Sequence, residues 1–143
     1  MIFAIDFDGT VVEQDKPYAD VYSPLVLKPG AREALESLKR AGHTLVLWSG
    51  RNNRSRMTLA ELDPLVRAGL KVDRLSDESR QLEADRWRQM LAFVASELPG
   101  VFDAVDDGRQ GKMSADVYID DKAVRFGGPG GVTWADLAES YGE

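Results

Sequence analysis

Residues 1–12 read M-I-F-A-I-D-F-D-G-T-V-V. Ile2 to Ile5 is apolar and rich in β-branched and aromatic side chains, the composition of a strand buried in a sheet. The run predicts a central strand over Ile2 to Phe7. It ends in two carboxylates, Asp6 and Asp8, with Gly9 and Thr10 directly behind them. Like charges this close raise one another's pKa unless something positive intervenes. The end of the first strand therefore asks for a cation.

Downstream, residues 11–28 hold Pro17, Pro24 and two tyrosines, and predict an irregular excursion or a small hairpin. Pro29 suits a first helical turn. Ala31, Ala34, Leu35 and Leu38 then recur at helical spacing, and Gly42 ends the run. T-L-V-L-W predicts a second strand, Thr44 to Trp48, followed by an S-G-R-N-N-R loop. Residues 57–69 read as helical, with a break or kink at Pro64. Residues 77–98 form the longest periodic segment. Trp87, Met90, Leu91, Val94 and Leu98 trace one face, and Pro99-Gly100 stops it. V-F-D-A-V predicts a third strand, Val101 to Val105, and V-Y-I a fourth, Val117 to Ile119. G-G-P-G-G is a turn. Thr133 then caps a final helix with Asp136 facing back.

Strands that alternate with helices predict an α/β fold, a three-layer Rossmann-like parallel sheet flanked by helices. No repeat, low-complexity tract or linker divides the chain, so residues 1–143 read as a single domain.

Composition narrows the function. The chain has no cysteine, which excludes disulfides, thiolate metal sites and a cysteine nucleophile. Its one histidine, His43, falls at a helix–strand junction and leaves no Ser-His-Asp triad in prospect. The net charge of −6 disfavours nucleic acid as a partner. No stretch approaches transmembrane length and no leader pattern is present, so no membrane partner is expected and the cytoplasm is the default location.

In open parallel sheets, ligands bind beyond the carboxyl ends of the strands. After the first strand come Asp6 and Asp8. Ser49, Gly50 and Arg51 follow the second, Lys112 precedes the fourth, and Asp120 and Asp121 follow it. Four carboxylates, a hydroxyl and one or two cations would converge there. A hard divalent ion suits this set. Mg²⁺ takes carboxylate oxygens together with waters and a substrate phosphate, whereas zinc favours the histidine and cysteine ligands missing here. The second acidic pair, Asp106 and Asp107 after the third strand, is the weaker candidate for the metal. Arg51, Arg54 and Arg56 are candidates for phosphate recognition.

D-F-D-G-T after a strand, then S-G-R, then a lysine, then Y-I-D-D resembles the haloacid dehalogenase (HAD) superfamily of phosphohydrolases, in motif order over residues 1–123. The resemblance implies a Mg²⁺-dependent phosphatase. Asp6 would be the nucleophile that becomes an aspartyl-phosphate. Asp8 would protonate the leaving oxygen, then act as base on the hydrolytic water, and its backbone carbonyl would ligate the metal with Asp6. Asp120 and Asp121 would hold Mg²⁺, directly or through water. Ser49 would bond the phosphoryl oxygens and Lys112 would offset the charge on Asp6 and the phosphate. Gly9, Thr10, Gly50 and Arg51 fall on the substrate side of these motifs. Only seven residues separate Lys112 from Asp120, closer than in many members, and Lys122 is the other candidate lysine. An aspartate at position 8 points to phosphate esters. Dehalogenase members lack an acid there and transport ATPases carry threonine.

The family's large cap domain has no room in this chain, although residues 52–80 would allow a small helical cover. A capless or minimally capped member suits a large phosphorylated substrate, or a homo-oligomer in which a neighbouring subunit covers the site. Two other readings remain: a receiver-like module that accepts phosphate as a signal, and an HAD-like binding protein without catalysis.

Overall fold

Ile2–Ile5 forms β1, the strand around which the sheet is built. It pairs in parallel with β2 (Thr44–Trp48) on one side and β4 (Val117–Ile119) on the other. β3 (Ala104–Asp106) pairs in parallel outside β2, giving the order β3-β2-β1-β4. The computed structural model describes residues 1–51, 77–106, 108 and 112–142. The helix expected over 57–69 lies outside the described residues, as do Arg54, Arg56, Asp107 and most of the small cover considered for 52–80.

Register and pleat decide which side chains enter the core. Phe3 stands opposite Leu45 and Val117, and Ile5 opposite Leu47 and Ile119. Alternate residues share a face, so these six side chains line one side of the sheet. Against them pack α1 (Ala31–Arg40) through Leu35 and Leu38, and α2 (Asp77–Glu97) through Met90 and Val94, with Leu98 just beyond it. Phe7 joins the cluster and meets Phe93 edge-on at 6.0 Å. A third helix, α3 (Trp134–Tyr141), opens on a capping box between Thr133 and Asp136, as the sequence indicates. The architecture is an open, four-stranded parallel sheet flanked by helices, α/β and Rossmann-like. No helix of the described residues is long and apolar enough to cross a membrane.

Several boundaries differ from expectation. β1 ends at Ile5, and its ladder closes with the Asp6 N–H donating to the Ile119 carbonyl at 2.9 Å. β3 starts at Ala104, because Val101 is buried at the end of α2 and bonds back to the Leu98 carbonyl. Asp103 then turns the chain into register, its carboxylate accepting the Leu45 N–H at 2.8 Å. Pro29 precedes α1, whose cap is Gly30 at φ 81°. On α2 the buried stripe is Glu83, Arg86, Met90, Val94 and Leu98, a steady step of three or four. Leu91 lies off that stripe and Phe93 packs in its stead.

The excursion after β1 is a short antiparallel arrangement. Val12 bridges Leu27, Glu13 N–H donates to the Val26 carbonyl and Lys28 N–H to the Val11 carbonyl. Residues 14–25 form its tip. Within it, the Asp20 carboxylate accepts the backbone N–H groups of Tyr22 and Ser23.

Candidate metal and carboxylate site

Strand order reverses between β1 and β4: the chain runs outward from β1 through β2 to β3, then returns to the other side of β1. The crevice at such a reversal, beyond the carboxyl ends, is where open α/β sheets take ligands. β1 delivers Asp6 and Asp8 to it, and β4 delivers Asp120 and Asp121.

The two carboxylates of D-F-D have different partners. Asp6 offers an oxygen to a group with Asp120 and Asp121, in which one oxygen from each lies within 4.8 Å of the others. Thr10 Oγ1 donates to Asp6 Oδ2 at 3.4 Å. Partial burial pushes the Asp6 carboxyl up to about 6. The Phe7 N–H opposes this, and the charges of Asp120 and Asp121 add to it. Three oxygen donors repelling one another, without imidazole or thiolate, fit a hard divalent cation. Asp120 Oδ1 also accepts the N–H groups of Lys122 and Ala123, which fixes the turn after β4. Lys122 thereby serves the loop through its backbone.

Gly9 makes the close approach of the two loops feasible. Its φ is +81°, and a Cβ there would fall on Asp121 Oδ2. The Phe7 carbonyl accepts N–H groups from Thr10, Val11 and Val12, which curls the chain tightly behind Asp6.

Asp8 points into a different environment. Arg51 grips it with two bonds, Nε to Oδ2 at 2.7 Å and Nη2 to Oδ1 at 2.9 Å. Arg86 Nη2 stands 3.7 Å from the same Oδ2. Arg51 is only 5% exposed, so the sequence-based expectation of a substrate contact meets a side chain already enclosed. Its Nη1 donates to Gln89 Oε1 at 2.7 Å and to the Arg86 carbonyl at 3.3 Å. Burial and the Arg51 charge push the Arg86 guanidinium down from its ordinary value, while Asp8 and Glu83 oppose the shift. Glu83, buried one turn away, is raised by burial against the pull of Arg86. Glu83 Oε2 and Arg86 Nε have no hydrogen-bond partner among the described residues.

The remaining expected site residues are less engaged. Ser49 Oγ accepts the Arg51 N–H at 3.0 Å and so shapes the loop after β2. Gly50 is exposed, with open space where a Cβ would stand. Lys112 Nζ lies 4.5 Å from the centre of the Tyr118 ring. Tyr118 pairs with Ala4, so by the pleat it shares a face with Asp6 and Asp120, one repeat behind them. Among the described residues no salt bridge joins Lys112 to Asp6. Asp106, of the alternative acidic pair, accepts the Gly108 N–H at 3.0 Å and closes the turn after β3. His43 stands at the opposite end of β2, its ring 5.0 Å from that of Phe3.

Sequence reasoning missed Arg86 and Gln89. The signal was present: stepping back from Met90 by four and seven along the buried stripe of α2 lands on Arg86 and Glu83, charged residues where apolar ones belong. Tyr18 is explained by the same helix. Arg86 Nη1 donates to its carbonyl at 2.7 Å, and the guanidinium carbon lies 3.8 Å from the centre of its ring.

No protein-family model matches the chain, and no curated protein matches it. A solved structure, a conserved protein from Bacteroides thetaiotaomicron, is similar at 25% identity over 97% of this chain and 87% of that one, with a TM-score of 0.40. A likeness of that size is no guide to function.

Proposed function

We propose that the chain is a Mg²⁺-dependent phosphomonoesterase of the HAD type that works through an aspartyl-phosphate on Asp6. The observation that carries this reading is the gathering of Asp6, Asp120 and Asp121 at the β1–β4 reversal, with Asp8 two residues from Asp6 and paired with Arg51. The order D-F-D-G-T, S-G-R, Lys112, Y-I-D-D supports the same reading.

Asp6, Asp120 and Asp121 would hold the metal. When bound, Mg²⁺ would supply positive charge against the phosphoryl oxygens and the three carboxylates. The Asp6 carboxylate attacks phosphorus, and the bond from phosphorus to the leaving oxygen breaks. Asp8, two residues on, gives a proton to the leaving oxygen and then, as the carboxylate, takes one from the water that attacks phosphorus and releases Asp6. Thr10 orients Asp6 through its hydroxyl. Lys112, whose Nζ lies beside the Tyr118 ring, would offset the charge on Asp6 and the phosphate. The absence of cysteine suits a cytoplasmic setting.

The test is hydrolysis of a panel of phosphate monoesters with Mg²⁺. Asp6→Asn should lower turnover of an aryl phosphate by roughly a thousandfold or more, the scale of losing a covalent nucleophile, with an unchanged circular-dichroism spectrum. Parent-like activity in Asp6→Asn would end the proposal. A long-lived phosphorylated Asp6 without turnover would favour the receiver-like reading.

A further inference from the structure

We propose that Arg51 is a positioning residue for Asp8 and does not contact substrate, and that Gln89 and Arg86 of α2 set its orientation. The inference rests on the phosphatase reading above and adds residues to it. An arginine carries five N–H donors in a rigid fork. Arg51 uses four bonds within the protein: Nε and Nη2 to Asp8, and Nη1 to Gln89 Oε1 and the Arg86 carbonyl. The side chain is 5% exposed, and its guanidinium carbon lies 5.4 Å from the Phe7 ring centre. Too little of the fork remains for a bidentate grip on a phosphate.

Gln89 is itself fixed. Its Oε1 accepts from Arg51 while its Nε2 donates to the Ser23 carbonyl at 3.2 Å, so the amide has one workable orientation. Arg86, three residues earlier and on the same side of α2, approaches Asp8 at 3.7 Å and holds the Tyr18 carbonyl. Two residues of one helix therefore tie Asp8, Gln89 through Arg51 and Arg86 directly, to Tyr18 and Ser23 in the tip of the excursion. A lysine at position 51 would keep the charge but lose the two-pronged geometry.

Steady-state kinetics on an aryl phosphate with Mg²⁺ test this in Arg51→Lys and Gln89→Met, each in the parent and in an Asp8→Asn background. A carboxylate displaced by about 1 Å costs on the order of a hundredfold in rate. Arg51→Lys should therefore lower kcat by about ten- to a hundredfold with KM within about twofold, and Gln89→Met should move in the same direction by less. Residues that act through one another are not additive, so in the Asp8→Asn background either change should alter kcat by less than about twofold. Melting temperatures of Arg51→Lys, Asp8→Asn and the double variant give a readout free of catalysis, and the two losses should not add. A KM raised about tenfold with kcat preserved would make Arg51 a substrate contact and overturn the inference. Fully additive losses in kcat or melting temperature would overturn it too. A parent inactive on every ester defeats the phosphatase reading itself, and the inference falls with it.

Discussion

Gly9 is the residue at which backbone conformation and site chemistry meet. At φ +81° an L side chain is strained, and here its Cβ would also strike the Asp121 carboxylate. Gly9→Ala should destabilise the fold by about 1–2 kcal/mol from the left-handed backbone and push Asp121 away from Asp6. Urea unfolding measures the first effect and isothermal titration of Mg²⁺ the second. Unaltered Mg²⁺ binding in a folded Gly9→Ala protein would show that Asp121 is not a ligand. At this scale the motif was legible, because D-x-D-G-T requires little beyond local chain geometry. The partners of each carboxylate were not. Whether Asp8 faces Asp6 or Arg51 depends on a side chain 43 positions away, and no local spacing encodes that.

α2 shows how one helix carries two tasks on one stripe. Met90, Val94 and Leu98 pack into the core, and the same stripe continues through Arg86 and Glu83 into the site. The sequence revealed the apolar half and its period. The charged half was hidden because buried arginine and glutamate contradict the ordinary inside–outside rule; here Asp8 and Glu83 offset the charge of Arg86, and Arg86 offsets that of Glu83. Strand ends were blurred for a related reason. Val101 and Phe102 look like strand residues, yet burial at the foot of α2 claims Val101, and pairing starts only at Ala104. Met90 is fully enclosed, so Met90→Ala should cost about 2–5 kcal/mol by leaving a cavity. Adjacent Gln89 would then shift with the helix. The prediction is a lower melting temperature together with a reduced kcat. Loss of stability with an unchanged kcat would separate the packing of α2 from its service to Arg51.

The whole molecule gathers three carboxylates at one point of a sheet, and that has a consequence for stability against pH. Asp6 titrates at about 6 in the fold against 3.8 for the free group. A raised carboxyl pKa means the folded state prefers the protonated form. Its contribution is complete below about pH 4, and it is lost as pH rises through about 6. Asp20, held down to about 2 by its bonds to Ser23 and Tyr22, acts in the opposite sense, losing its contribution only in stronger acid. Comparison with Asp6→Asn isolates the Asp6 part. In EDTA, the parent should lose melting temperature relative to Asp6→Asn between pH 4 and 6. Mg²⁺ should reverse that loss, because a cation favours the charged carboxylates. At a hundred times its dissociation constant a ligand adds about 2.7 kcal/mol, on the order of 10 °C for a domain of this size. The increment should be large at pH 7, small at pH 4 and much reduced in Asp120→Asn. A Mg²⁺ response equal at both pH values, or unchanged in Asp120→Asn, would mean that the cation binds elsewhere and that the acidic cluster is not its site.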